Sequence, residues 1–287
     1  GPTPRPLGVA AQVIPWNFPL LMLSWKVAPA LACGNTVVLK PAETTPLTAL
    51  LFAEVCQQAG LPPGVVNIVT GAGATGQAIV DHPGIDKLAF TGSTAVGKMI
   101  ARSIAGTRKK ATLELGGKAA NIIFDDAPID QAVEGIVNGI FFNQGHVCCA
   151  GSRILVQENI ADELDRRLRR RLATLRVGDP MDKNTDIGAI NSKAQLQKIE
   201  SLVKQGEKEG AQRWSPACAI PKNGFFFAPT LMLGVSPANT VAREEIFGPV
   251  LTILGSGGIW AAVLLISARL LGRLAWRITQ TFVEEDA

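Results

Sequence analysis

Two parts of the sequence carry groups suited to covalent carbonyl chemistry. Cys148 and Cys149 follow a glycine turn, and Glu114 lies between two leucines just before Gly116-Gly117. A thiol that ionises can attack an electron-poor carbonyl carbon, and a carboxylate can take a proton. Adjacent cysteines are most often buried small apolar residues, and a glutamate at the end of a strand is most often on the surface. These residues therefore need support from the rest of the chain.

The composition narrows the class of protein. The 287 residues are 47% hydrophobic and 18% charged, which is typical of a globular chain of one large or two modest domains. The net charge of +4 is spread along the chain and predicts no nucleic-acid partner. Five irregularly spaced cysteines favour a reducing compartment over a disulfide framework. His82 and His146 are far apart and there is no Cys-x-x-Cys, so we expect no metal site.

Short apolar runs alternate with longer amphipathic runs along most of the chain. This alternation predicts a parallel sheet with helices on both faces. Up to residue 117 the predicted strands are 7–14, 36–40, 65–70, 87–90 and 112–115, and the predicted helices are 19–33, 47–59, 77–80 and 95–104. Beyond it we predict strands 119–124 and 154–157 and helices 128–142, 160–175 and 195–206. Gly116-Gly117, directly after a predicted strand, is the best candidate for a domain boundary.

Two charged stretches need an interpretation of their own. Five arginines lie in residues 166–171, and we interpret them as a solvated helix face. Residues 255–287 begin with a glycine-rich turn and continue into an apolar run followed by arginines on one helical face. The apolar run is too short to span a bilayer. A helix on a membrane surface is the minor interpretation, and we favour a tail foreign to the preceding fold.

Two glycine-containing loops could bind phosphate. Residues 71–76 match G-x-G-x-x-G, but the preceding strand is not the first of the sheet and the expected downstream acidic residue is missing. In residues 90–97 a predicted strand ends in a turn of small residues, where Ser93 and Thr94 can cap the next helix. Helix N-termini bind phosphate well, yet an ordinary helix cap explains these residues equally well.

Six motifs in one order resemble a known family. They are Pro15-Trp16-Asn17-Phe18-Pro19, Lys40-Pro41-Ala42-Glu43, Phe90-Thr91-Gly92-Ser93, Glu114-Leu115-Gly116-Gly117, Gly145-His146-Val147-Cys148 and Glu244-Glu245-Ile246-Phe247-Gly248-Pro249. Over residues 7–254 the chain resembles the NAD(P)-dependent aldehyde dehydrogenase superfamily. The resemblance implies an α/β fold: a Rossmann-type parallel sheet with helices on both faces, plus a second α/β catalytic domain, both incomplete. The implied domains are a partial dinucleotide-binding domain at 1–116, a partial catalytic domain at 117–254 and an atypical tail at 255–287.

The resemblance also implies roles for individual residues. Cys148 is similar to the nucleophile, which makes Cys149 a bystander, and Glu114 is similar to the general base. Asn17 resembles the oxyanion donor, which works with the backbone N–H of Cys148. The implied cofactor contacts are Trp16, Lys40, Glu43, Gly92, Ser93, Gly97, Glu245 and Phe247. A carboxylate at Glu43 suits both ribose hydroxyls and would repel a 2′-phosphate, so we expect NAD rather than NADP.

The implied activity is oxidation of a small aldehyde to a carboxylic acid, through a thiohemiacetal and a thioester on the cysteine. His146 departs from the family, which usually has glutamine there, and we treat it as tolerated variation. Family members are homo-oligomers, but the segments that carry their interface strands have no counterpart here, so we expect a fragment. The alternative function is a truncated, inactive family member that acts only by binding or co-assembly. We expect a cytoplasmic location, with an organellar matrix as the alternative.

Overall fold

The protein divides into two compact units between Gly116 and Gly117. The structure is a computed structural model and describes residues 5–254. Within that range ten strands form two five-stranded sheets, one in each unit. The tail expected at residues 255–287, with its basic helix, lies outside the described residues. No helix within residues 5–254 combines the length and the apolar character that crossing a bilayer requires.

The first unit contains a doubly wound parallel sheet. Its strands are β1 (Val9–Val13), β2 (Thr36–Lys40), β3 (Val66–Ile68), β4 (Lys87–Gly92) and β5 (Lys110–Leu115). Its helices are α1 (Pro19–Ala32), α2 (Leu47–Gln58), α3 (Gly73–Asp81) and α4 (Thr94–Ser103). The strands lie in the order β3-β2-β1-β4-β5, and every neighbouring pair is parallel. The chain therefore reverses its direction of winding between β1 and β4, the topological switch point of such sheets.

Side chains on the two faces of this sheet pack against different helices. Leu23 and Val27, four residues apart on α1, belong to a cluster with Val37 and Leu39 of β2. Ala11, on the opposite face of β1 from Gln12, belongs to a second cluster with α3 and α4 residues such as Ile79 and Ile100. Because successive residues of a strand point to opposite faces, the apolar runs of the sequence fill both layers.

The second unit has a mixed sheet. Its strands are β6 (Ala120–Ile123), β7 (Arg153–Val156), β8 (Gln212–Trp214), β9 (Thr230–Val235) and β10 (Val250–Leu254). Its helices are α5 (Ile129–Phe141), α6 (Glu158–Leu172), α7 (Lys193–Lys208) and the short α8 (Thr240–Arg243), and a 3₁₀ turn covers Phe142–Gly145. The strand order is β6-β7-β10-β9-β8, with β8 antiparallel to β9 and the other pairs parallel.

The arginines of residues 166–171 lie on the outer face of α6, as expected of a solvated helix face. Its inner face is formed by Leu164, Leu168 and Leu172, which repeat every four residues and are buried. Each of four arginines pairs with a neighbouring acidic side chain: Arg166 and Arg167 with Glu163, Arg167 also with Asp130, Arg169 with Asp165, and Arg171 with Glu134. The helix therefore carries its own counter-charges or takes them from α5.

The predicted elements up to residue 208 are present, with ends that differ by a few residues. The third helix is longer than predicted and covers Gly73–Asp81, because Gly73 and Gly76 made its first turn look like loop. Between residues 209 and 254 the sequence analysis predicted no element, whereas the structure contains β8, β9, α8 and β10. Strands β9 and β10 are nearly continuous buried apolar runs, without the alternation that marks a half-exposed strand.

Candidate functional site

The candidate residues of the first unit follow strands at one edge of the sheet. The register places Val13 level with Lys40 and with Phe90, and Thr91 level with Glu114. Because all five strands are parallel, their carboxyl ends share this edge. Trp16 and Asn17 follow β1 there, and Ser93 follows β4, so these three lie on the two sides of the switch point. In open α/β sheets this is the position where ligands bind.

Ser93 caps helix α4. Its Oγ accepts a hydrogen bond from the backbone N–H of Val96 at 3.3 Å. The first turn of any helix has N–H groups without partners inside the helix, and these favour an anion. Gly97 has a packing role as well, since a Cβ there would lie 2.4 Å from Leu115 Cδ2. The small residues at 92–97 thus bring a capped helix N-terminus close to the sheet edge. This geometry is compatible with a phosphate-binding loop and with an ordinary helix cap.

Lys40 is held in place by the backbone. It is 4% exposed, and its Nζ donates to the carbonyl oxygens of Pro41 at 2.9 Å and Gly71 at 2.7 Å. Its Nζ is also 3.7 Å from Glu43 Oε1, and the Glu43 side chain is half exposed. The loop containing Gly71 follows β3, which is the edge strand of the described sheet. This glycine loop therefore borders Lys40 and lies away from the switch point.

Lys26 is a group that the sequence analysis missed. Burial lowers its pKa, attraction to Glu114 opposes that shift, and repulsion from Lys87 adds to it. Its backbone carbonyl accepts a hydrogen bond from Gln12 Nε2 at 2.7 Å. The signal was present in the sequence, because Lys26 is the one charged residue within Pro19–Ala32. A single charged residue in an otherwise apolar helix is worth noting, because burying its charge costs free energy that the rest of the fold must offset.

In the second unit, the cysteines follow a left-handed turn. Helix α5 ends at Phe141, and Asn143, Gln144 and Gly145 then have φ angles of 49°, 56° and 74°. For residues other than glycine this backbone costs roughly 1–2 kcal/mol each. Two bonds compensate: the N–H of His146 donates to the carbonyl of Asn143 at 2.9 Å, and Gln144 Oε1 accepts from the N–H of Gly188 at 3.2 Å.

This turn presents both cysteines at the surface of the second unit. Cys148 and Cys149 are both exposed residues. Partial burial of its sulfur raises the pKa of Cys148, and the neighbouring Cys149 raises it further. The backbone N–H groups of Cys148 and Cys149 act in the opposite direction. Donors that lower the pKa of Cys148 are therefore present, but burial outweighs them.

The surroundings of His146 do not suit it to act as a base for the Cys148 thiol. It is 2% exposed, and its Nδ1 lies 2.9 Å from the carbonyl oxygen of Phe247, which can only accept. Nδ1 therefore carries the proton in the neutral ring. Burial lowers the pKa of His146 to about 4, so the ring is neutral near pH 7. Its ring centroid is 5.5 Å from that of Phe247.

Glu245 lies close to the start of the second unit. Its Oε1 accepts a hydrogen bond from the N–H of Gly117 at 3.3 Å. Burial raises the pKa of Glu245, while that hydrogen bond and the charges of Lys198 and Lys118 lower it. Burial and then repulsion from Arg153 lower the pKa of Lys118 to about 7, with attraction to Glu245 opposing. Lys118 is a second charged group that the sequence analysis did not select.

Two of the six sequence motifs meet in the second unit. A small pocket there is lined by Gly145 and Val147 from the cysteine loop and by Glu245 and Phe247 from the Glu244–Pro249 motif, among others. Of the predicted catalytic residues, Cys148 belongs to this unit, whereas Asn17 and Glu114 belong to the first. The predicted cofactor residues are likewise divided between the two units.

The first unit has the strand order of dinucleotide-binding α/β proteins, which defines the general class. Residues 3–262 match the model of the aldehyde dehydrogenase family, and the chain belongs to this family. The predicted superfamily and fold class are thereby confirmed.

Curated relatives and solved structures agree on this family. Human retinal dehydrogenase 2 is 52% identical over 252 residues, which are 87% of this chain and 49% of that protein. The crystal structure of an NAD-dependent aldehyde dehydrogenase from Sinorhizobium meliloti superposes with a TM-score of 0.84 at 44% identity, over 87% of this chain and 50% of that one. An NAD⁺ complex of aldehyde dehydrogenase from Bacillus cereus has a TM-score of 0.84 at 46% identity, over 87% and 51%. The chain spans about half the length of the curated relatives it matches.

Replacing Gly145 with alanine tests the left-handed turn. A Cβ there would lie 2.0 Å from the carbonyl oxygen of Gly248, on a backbone with φ of 74°. We expect Gly145→Ala to lower the free energy of unfolding of the second unit by more than about 2 kcal/mol. Gly135→Ala is the control, because that position is helical and a Cβ there meets nothing within 4 Å. It should be neutral or stabilising by up to about 1 kcal/mol in the same urea titration. Equal midpoints for the two variants would contradict the argument.

The effect of Cys149 on its neighbour can be measured directly. Since Cys149 raises the pKa of Cys148, Cys149→Ser should move the pH dependence of Cys148 alkylation to lower pH. The measurement is the rate of iodoacetamide labelling of the Cys148 peptide by mass spectrometry between pH 6 and 10. Cys33, an exposed cysteine of the first unit, serves as the internal reference in both proteins. An unchanged or upward-shifted profile would show that Cys149 does not act on the Cys148 thiol.

Proposed function

We propose that this chain oxidises an aldehyde to a carboxylic acid with NAD, through a covalent adduct on Cys148. The observation that carries the proposal is the exposed residue Cys148, which follows a left-handed turn, in a chain of the aldehyde dehydrogenase family. The names of the relatives add support, since they include a retinal dehydrogenase and NAD-dependent aldehyde dehydrogenases. Because the chain spans half of these proteins, the activity of the whole protein is part of the proposal.

Cys148 forms the covalent bond. Its thiolate adds to the carbonyl carbon of the aldehyde, and the C=O electron pair moves to oxygen to give a thiohemiacetal alkoxide. Since burial raises the pKa of this thiol, little thiolate is present at neutral pH, and the rate should rise with pH. Cys149 is adjacent and also exposed, but it takes no part in the reaction.

The negative charge on the aldehyde oxygen needs hydrogen-bond donors. The side-chain amide of Asn17 and the backbone N–H of Cys148 supply them in this proposal. Loss of one such donor in other enzymes lowers the rate by about 10²–10³-fold. The amide is suited to the task because it donates without titrating, so its strength does not depend on pH.

The residues at the sheet edge of the first unit fit a dinucleotide. The N-terminus of α4, capped by Ser93, suits a pyrophosphate. Gly92 and Gly97 belong to the same turn and helix, Trp16 follows the neighbouring strand β1, and we assign these residues to the pyrophosphate as well. The half-exposed carboxylate of Glu43 can accept from both ribose hydroxyls, and the buried Lys40 holds it at 3.7 Å. A 2′-phosphate would meet that carboxylate as a like charge, which favours NAD over NADP. When bound, NAD supplies the oxidant that takes a hydride from the carbon attached to the sulfur.

Glu114 completes the turnover. Loss of hydride from the adduct leaves a thioester on Cys148, which water must hydrolyse. Glu114, exposed on β5, takes a proton from this water while the water oxygen attacks the thioester carbon. The resulting tetrahedral adduct then collapses, which breaks the C–S bond and releases the acid. A positioned base of this kind contributes about 10²–10⁴-fold. Glu245 and Phe247, the other predicted cofactor contacts, are assigned to the nicotinamide end.

The first test is NADH formation from simple aldehydes. Cys148→Ala should abolish it, because the proposal assigns the thioester to the Cys148 sulfur and not to that of Cys149. Cys149→Ala should keep it within about threefold, since that thiol only shifts the pKa of its neighbour. Absorbance at 340 nm gives the rate, and mass spectrometry of the quenched protein locates the acyl group.

Two outcomes would go against the proposal. Equal losses in the two alanine variants would remove the distinction between the cysteines. Binding of NAD by the unaltered chain without any NADH formation would favour the alternative of a family member that acts only by binding.

The role of Ser93 can be separated from its role as a helix cap. Aspartate caps helices about as well as serine, but it repels a phosphate. We expect Ser93→Asp to weaken NAD binding at least tenfold while the thermal midpoint changes by less than about 3 °C. The matched control is Ser192→Asp, the same change at the cap of α7, where Ser192 Oγ accepts from the N–H of Gln195 at 3.2 Å. Unchanged NAD affinity in Ser93→Asp, measured by calorimetry, would leave Ser93 an ordinary cap.

A further inference from the structure

We infer that His146 and Gln195 are positioning residues that hold the carbonyl group of Phe247 and thereby fix the ring of Phe247 for the nicotinamide end of the cofactor. The inference deepens the proposed function and rests on it for the cofactor. Its structural part, the fixing of Phe247, depends only on contacts within the second unit.

The carbonyl oxygen of Phe247 accepts two hydrogen bonds from different parts of the unit. His146 Nδ1 lies 2.9 Å from it, on the loop after α5. Gln195 Nε2 also lies 2.9 Å from it, on the first turn of α7, and is 3.3 Å from the carbonyl oxygen of Ile246. A carbonyl oxygen has two lone pairs, so these two donors saturate it. The peptide plane after Phe247 is thus fixed from two sides.

The backbone at Phe247 needs this support. Its φ is 56°, a left-handed conformation that an aromatic residue adopts at a cost and keeps only when its surroundings determine it. The two donors are contacts from outside the local sequence that help to determine this conformation. The His146 ring adds a contact, with its centroid 5.5 Å from that of the Phe247 ring. The donor and the packing surface therefore come from the same side chain.

The chemistry of His146 suits this task. Burial keeps the ring neutral near pH 7, with its pKa lowered to about 4, and a neutral imidazole has one N–H. That N–H is used on Phe247, so the ring acts as a fixed donor and not as a base. A glutamine at this position, which the family usually has, also offers an N–H donor. Histidine in place of glutamine at position 146 thus keeps an N–H donor but changes the shape of the side chain that carries it.

The sequence allows one carbonyl group to be observed alone. Phe-Gly occurs once in the chain, at Phe247-Gly248. Labelling with carbonyl-¹³C phenylalanine and ¹⁵N glycine therefore gives a single cross-peak in an experiment that links an amide to the preceding carbonyl. Its ¹³C shift reports the hydrogen bonds that the Phe247 carbonyl accepts. The measurement uses the whole chain without cofactor or turnover.

Four variants are compared by this cross-peak. His146→Leu and Gln195→Leu each remove one donor and should shift the ¹³C resonance upfield or broaden it. His146→Gln should restore the donor and bring the resonance back towards that of the unaltered chain. Gln205→Leu is the matched control, the same change on the same helix at a glutamine that bonds Glu209 at the surface. A cross-peak unchanged in both His146→Leu and Gln195→Leu would overturn the inference.

The cofactor part is tested by comparing two ligands. AMP contains the adenosine end alone, whereas NAD adds the nicotinamide end. His146→Leu should weaken NAD binding about five- to tenfold, because a smaller fraction of the protein then holds the competent Phe247 conformation, and should leave AMP binding unchanged. His146→Gln should restore NAD affinity. Equal weakening of both ligands would indicate general damage to the fold and would overturn the assignment to the nicotinamide end.

Failure of the proposed function looks different from failure of this inference. If the unaltered chain binds neither ligand, the proposed function falls and the cofactor part of the inference with it. The cross-peak still decides whether His146 and Gln195 hold the Phe247 carbonyl.

Discussion

The second unit depends on the close approach of Gly145 to the carbonyl oxygen of Gly248. A side chain at 145 would come within 2.0 Å of that oxygen, so the two loops can meet only if this residue is glycine. The approach joins the segment that carries Cys148 to the segment that carries Phe247 and Glu245. The left-handed turn, the buried imidazole of His146 and the amide of Gln195 all maintain the same junction. Without it, the thiol would sit on a loop that no longer has a defined orientation.

In the first unit the constraint is the placement of polar groups in a sheet that is buried on both faces. A parallel sheet buried on both faces has its polar chemistry confined to the ends of its strands, since polar groups elsewhere would be costly. Lys40 shows how a charge is kept there: two backbone carbonyls and a carboxylate surround its ammonium group. Lys26 shows the cost when less compensation is available, because burial lowers its pKa despite attraction to Glu114. The strand ends can hold charged side chains because there the backbone and solvent can both satisfy charges.

Much of this arrangement was predictable from the sequence, and the remainder has physical reasons. Helices and strands up to residue 208 follow from apolar periodicity, and the ordered motifs in the sequence indicate the family. The apolar runs of β9 and β10 lack a period of two, so pattern alone could not separate them from loop or helix. The contact of His146 with Phe247 joins residues 101 positions apart and depends on three consecutive left-handed residues, which no local propensity predicts. The raised pKa of Cys148 likewise depends on burial, which spacing does not reveal.

The paired charges of helix α6 affect how the protein interacts with polyanions. Its five clustered arginines would suggest a binding strip for nucleic acid or heparin if the sequence were scanned for basic runs alone. In three dimensions four of them are engaged by Glu163, Asp130, Asp165 and Glu134, and the guanidinium of Arg169 also lies 4.9 Å from the Trp214 ring. Five positive charges facing four carboxylates project little field beyond a Debye length. The helix therefore attracts phosphodiester chains only weakly, even though its sequence is among the most basic in the protein.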